Sequence, residues 1–294
     1  IVQNQFGVSN ALAMLGLAVN FIAYAFMGFP AGLILKRKGY KFTSLAAVSV
    51  GLVGVAIQWI SGPAGSFPIY IVGAFVAGFS MCMLNVVVNP MLNTLGGGGN
   101  RGNQLNLFGG AINSIGGTLA PVLLGYLLGG KLIKEATVPD AAPAMIAAMT
   151  IFAVAFLVIF FTNIPEPHME TAEEKAARLS GNQTKDEHSP LSFRHFILGA
   201  IAIFFYVGAE VGIPFVGKLY MEAPIEKGGI AMSTTLAGAL VGAYWFLMMC
   251  GRFIGGAIGG KVSSKLMLST VATVALCLIC GIMFIPESNV INLN

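Results

Sequence analysis

Charge is missing from long stretches of this chain. No Asp, Glu, Lys or Arg occurs from Ile1 to Leu35, from Phe42 to Asn100, or from Gly102 to Gly130. A run of ~18 residues without charge is enough to expect a membrane crossing, and ~20 mostly apolar residues span the hydrocarbon core as a helix. Backbone groups in lipid must be paired internally, so only helices or a closed barrel can cross. Barrel strands alternate polar and apolar residues over ~10 positions, and these runs are apolar throughout. The sequence therefore predicts an all-α polytopic membrane protein. Composition agrees. Over the 294 residues, 56% are hydrophobic and 10% are charged, against about 25% charged in a soluble domain. A water-soluble globule is excluded, and so is a disordered chain, which needs low hydrophobicity and high charge.

The pattern predicts eight spans, over 10–35, 42–62, 67–93, 104–130, 142–164, 194–217, 230–258 and 266–286. Turn residues Ser61, Gly62, Pro63, Gly65 and Ser66 separate the second from the third. Twelve of the sixteen Lys and Arg residues, among them Lys36, Arg37, Lys38, Lys41, Arg101, Arg252 and Lys261, fall on one side of this arrangement. Lys131, Lys134, Lys218 and Lys227 fall on the other. Basic residues accumulate on the cytoplasmic side, so the first span is expected to run inward. The polar segment 165–193, rich in Glu and Lys, is expected to be a cytoplasmic linker between a bundle at 1–164 and a partial bundle at 194–294. The chain starts on the outer side without an initiator Met and stops after an outward-going span. It is therefore expected to be a piece of something longer.

Few residues carry chemistry. Glu210 is the one carboxylate inside a predicted span. An ionisable group there is costly and marks a functional site by default. It suits contact with a hydroxyl or carriage of a proton, the plain alternative being a structural bond to a neighbouring helix. Asn85, Asn89 and Asn93 recur every four residues, which places them on one helix face. Amides donate and accept, as a polyhydroxy ligand requires, although Asn also bonds helices together in membranes. Tyr206, Tyr244 and Trp245 offer aromatic faces for a pyranose or for packing. Gly97 to Gly102 matches a dinucleotide glycine pattern but lacks the strand and acidic partner that such a site needs. Cys277 and Cys280 lie in an apolar span, where thiols act as small hydrophobes. No metal, cofactor or nucleic acid is implied, and no cluster suggests an enzyme.

An internal repeat points to the fold. Gly28-Phe29-Pro30-Ala31-Gly32 and Gly251-Arg252-Phe253-Ile254-Gly255 each precede a basic turn and an apolar span. Repeats in the same orientation mark one large transporter class. The run Gly32 to Lys41 resembles the basic loop of the major facilitator superfamily, G-x-x-x-D-R-x-G-[RK]-[RK], with Lys36 in place of the Asp and Tyr40 in place of a basic residue. The resemblance implies helices two to nine of an expected twelve in two pseudo-symmetric bundles. It also implies a gating motif comprising Gly28, Gly32, Arg37, Gly39, Gly251, Arg252 and Gly255.

Finer matches resemble the fucose permease-like branch, which carries hexoses. They are Gly78-Phe79 with Asn85 to Pro90, Leu105-Asn106-Leu107, Asn113 to Gly116, Phe205 to Glu210, and Tyr244-Trp245. The resemblance implies a substrate site at Asn85, Asn89, Asn113, Tyr206, Glu210 and Trp245. Asn85 stands where the branch's namesake has a protonatable Glu, so proton coupling, sodium coupling and no coupling all remain open. The expected activity is transport of a hexose-type sugar by alternating access, as a monomer in a bacterial inner membrane. Gly117-Thr118-Leu119-Ala120-Pro121 is also close to a drug antiporter pattern, which leaves efflux of drugs or small metabolites as the alternative.

Overall fold

The computed structural model describes residues 1–128, 136–166, 171–180 and 192–284. Within them the chain forms nine α-helices and no strand. They are α1 (Val2–Phe6), α2 (Asn10–Ser61), α3 (Phe67–Leu95), α4 (Gly99–Leu127), α5 (Ala142–Phe161), α6 (Ala172–Leu179), α7 (Arg194–Glu222), α8 (Thr234–Gly259) and α9 (Ser264–Met283). The expected linker contains α6. Residues 167–170 and 181–191 of that linker, with Lys131 and Lys134, lie outside the described residues.

Six helical stretches among the described residues are long and apolar enough to cross a membrane. The first, Leu12–Ser61, contains two of the expected spans. Its continuity is nominal. Gly39 has φ 81 and ψ 178, so one residue interrupts the helix where the sequence predicts the basic turn. The expected span at 104–130 corresponds to α4, a helix of 29 residues.

The chain divides into two compact units. The first contains Ile1–Gly102 and Leu119–Gly181. In it α2 packs along α3 and α5. Ala31, Ala47 and Met83 form one buried cluster, and Leu35, Tyr40 and Val87 form another. Water cannot drive helices together in lipid, so close packing of small residues must do so. A Cβ on Gly54 would lie 2.7 Å from the backbone nitrogen of Ala77, so this crossing requires glycine.

Gly39 is held from a distance in sequence. Glu166 accepts from the backbone N–H of Tyr40 and, at 2.8 Å, from that of Lys41. The carboxylate thereby caps the open N-terminus of the 40–61 arm, where the helix dipole favours negative charge. A side chain at Gly39 would be strained at its φ and would overlap that carboxylate.

The second unit contains Asn103–Thr118 and Asn182–Asn294. The middle of α4 groups here because it bonds to α8. Gln104 Nε2 donates to the Gly256 carbonyl at 2.8 Å. Helices α7 and α8 pack together, and α9 adjoins α8.

Candidate functional site

The second unit brings together three helices around one ion pair. Arg252 of α8 reaches Glu210 of α7, with Nη2 2.9 Å from Oε1. The other guanidinium nitrogen turns to α4. Arg252 Nη1 donates to Ser114 Oγ at 2.8 Å and to the Gly110 carbonyl at 3.2 Å. Ser114 in turn donates to the Gly110 carbonyl at 2.9 Å, so its position is fixed by its own helix. Both charged side chains are largely buried, with 24% of Arg252 and 17% of Glu210 exposed. Charges within a span persist when they are paired and hydrogen-bonded, and this pair meets that condition with a net charge of zero.

Tyrosines complete the cluster. Tyr206 precedes Glu210 by one helical turn on α7 and is 56% exposed. Tyr244 Oη donates to the Glu210 backbone carbonyl at 3.1 Å. Trp245 packs edge-on against Tyr244, with ring centroids 5.3 Å apart and planes at 84°. The cluster therefore combines a compensated carboxylate, a guanidinium, phenolic hydroxyls and an indole. That inventory can donate to, accept from and stack against a neutral polyhydroxy molecule.

The other residues singled out by sequence lie elsewhere. Asn85 and Asn89 are exposed on α3 in the first unit. Asn85 Nδ2 donates back to the Met81 carbonyl at 3.0 Å, one turn earlier in its own helix. Asn113 is exposed on α4. Gly28 and Gly251 have open space where a side chain would stand. Gly32 lines a recess of about 380 Å³ with Leu35, Lys36, Tyr40 and Pro90. Arg37 is exposed beside the Gly39 break. Gly255 faces Leu107, 3.5 Å from where its Cβ would be.

Arg252, grouped by sequence with the glycine-rich helix end, also stands in the charge cluster. Its partners Ser114 and the Gly110 carbonyl are absent from the sequence expectations. A serine inside an apolar helix gives no signal of its own, and its bond to Arg252 depends on packing across 138 residues.

Among the described residues no group of three or more His, Cys, Asp or Glu side chains could hold a metal ion. Cys82 is buried on α3, Cys250 is partly buried on α8, and Cys277 and Cys280 are exposed on α9.

Compared with known protein families, residues 1–293 match the Major Facilitator Superfamily. The chain belongs to the major facilitator superfamily. Among its relatives, the glucose/galactose transporter of Brucella abortus is 33% identical over 282 residues, which cover 94% of this chain and 65% of that protein. The L-fucose-proton symporter of Escherichia coli is 23% identical over 297 residues, covering 94% of this chain and 66% of that one. The chain thus spans just under two thirds of the length of these curated relatives. The crystal structure of a major facilitator transporter in the outward conformation superposes with a TM-score of 0.72 at 21% identity, covering 95% of this chain and 70% of that one. That likeness shows the fold.

Proposed function

We infer that the protein is a secondary transporter, not an enzyme, moving a hexose-type sugar across the bacterial inner membrane by alternating access. The observation that carries this reading is the 33% identity to a glucose/galactose transporter over nearly the whole of this chain. The chemistry of the second unit supports it. An ion pair with no net charge repels neither a neutral sugar nor a coupling cation, and its oxygens and nitrogens match hydroxyl groups. In this reading Glu210 accepts from sugar hydroxyls and Arg252 holds the carboxylate in place. Tyr206 and Asn113 add polar contacts, and Trp245 stacks on the apolar face of the ring. Asn85 and Asn89 are the corresponding contacts of the first unit.

Transport is coupled to a cation, proton or sodium. The protein acts as a monomer with segment 165–193 on the cytoplasmic side, between a bundle at 1–164 and another from 194. The glycine-rich helix ends with Gly28, Gly32, Arg37 and Gly39, and with Gly251 and Gly255, serve the conformational change. Uptake of labelled glucose, galactose and fucose into proteoliposomes of the full-length protein tests the reading. At least one sugar accumulates faster under an inward proton or sodium gradient. Absence of uptake of every hexose under both gradients refutes it and favours efflux.

A further inference from the structure

We propose that the first unit carries a binding site for an anionic phospholipid, with the headgroup at Lys41 and one acyl chain in the groove between α5 and the 40–61 arm of α2. The groove has a volume of about 400 Å³ and is walled by Val48, Leu52, Val53, Phe152, Phe156 and Leu157. That volume lies within the ~300–1,000 Å³ of small-molecule sites. Its one hydroxyl, on Ser49, donates to the Leu45 carbonyl at 2.8 Å, which leaves it only acceptor capacity. The rest of the lining is apolar and suits an acyl chain.

An aromatic ladder joins the groove to the basic turn. Phe156 stacks on Phe160, with centroids 6.2 Å apart and planes at 13°. Lys41 Nζ lies over the Phe160 ring at 5.9 Å, and Lys38 Nζ lies over Phe42 at 5.7 Å. Along a helix rising ~1.5 Å per residue, Val48 and Val53 lie roughly 10 and 18 Å from Lys41. One leaflet of the hydrocarbon core is about 15 Å deep. A lipid whose phosphate sits at Lys41 thus places its chain along the groove.

Charge selects the headgroup. Lys36, Arg37, Lys38 and Lys41 stand within six residues. The carboxylate described beside them, Glu166, is engaged by the N–H groups of Tyr40 and Lys41. Basic pockets between helix ends on the cytoplasmic side are suited to anionic headgroups.

The test is native mass spectrometry of the full-length protein in mild detergent. Phosphatidylglycerol or phosphatidylcholine with identical chains is added separately. Phosphatidylglycerol is expected to be retained preferentially. Lys41→Gln lowers that preference about fivefold, the contribution of one surface cation, while Lys41→Arg preserves it. Ala153→Phe fills the groove and lowers retention of both lipids. Equal retention of the two lipids by the unsubstituted protein, or a preference that survives Lys41→Gln, overturns the proposal. Neither readout depends on sugar transport.

Discussion

Replacing Arg252 with Met leaves Glu210 as a largely buried carboxylate without its counter-ion. Removing one partner of a buried pair costs about 3–5 kcal/mol. Here 17% of Glu210 remains exposed, which admits some solvent and places the loss near the lower end, about 3 kcal/mol. Ser114 keeps its bond to the Gly110 carbonyl, so α4 adds little to that figure. Glu210→Gln has the complementary effect, leaving Arg252 charged without its counter-ion. When both are replaced the charges vanish together. A buried pair exchanged for uncharged residues is often close to neutral. The double variant therefore lies within about 1 kcal/mol of the parent, with an interaction energy of ~2 kcal/mol or more. A double-mutant cycle on the full-length protein, read by equilibrium unfolding in detergent, measures that energy. Additivity within ~0.5 kcal/mol shows that the two charges do not interact and refutes the reasoning.

Three further substitutions probe separate parts of the fold. Gly39→Ala forces a Cβ into a positive-φ, extended-ψ region open essentially only to glycine, costing ~1–3 kcal/mol, and displaces Glu166, so thermal unfolding is expected at a clearly lower temperature than for Glu166→Gln, which loses only the charge on the cap. Gly54→Leu drives a side chain into the α3 backbone at Ala77, and overpacking of ~1–3 kcal/mol is expected as a lower melting temperature, whereas Gly28→Ala enters open space inside a helix and is expected to raise stability by about 0.5–1 kcal/mol. Ser114→Ala removes one acceptor from the Arg252 guanidinium, a loss of about 1.5 kcal/mol that disappears in the Arg252→Met background.

The helices were legible because lipid imposes a simple rule. A segment without charges must bond its own backbone, and the charge-free runs here are long. The interruption at Gly39 was legible for a related reason, since Lys36, Arg37, Lys38 and Lys41 cannot lie in hydrocarbon. That α2 resumes after a single residue was not legible, because it depends on Glu166 capping Tyr40 from 126 positions away. Glu210 was visible by its depth alone. Its partner was not, because Arg252 lies near the end of α8 and reads as one more cytoplasmic cation. Only the packing of α7 against α8 brings residues 42 positions apart to 2.9 Å. The amide stripe of α3 shows the opposite limit. Spacing places Asn85 and Asn89 on one face, but Asn85 spends a donor on its own helix.

Counterflow of labelled galactose and glucose tests the central claim most directly. Proteoliposomes of the full-length protein are loaded with unlabelled sugar and diluted into a trace of label without any ion gradient. A carrier that exposes one site to each side in turn produces a transient overshoot of label. That overshoot is expected for the unsubstituted protein, and its loss is expected in Glu210→Gln. No overshoot with either sugar, or an undiminished one in Glu210→Gln, contradicts the claim.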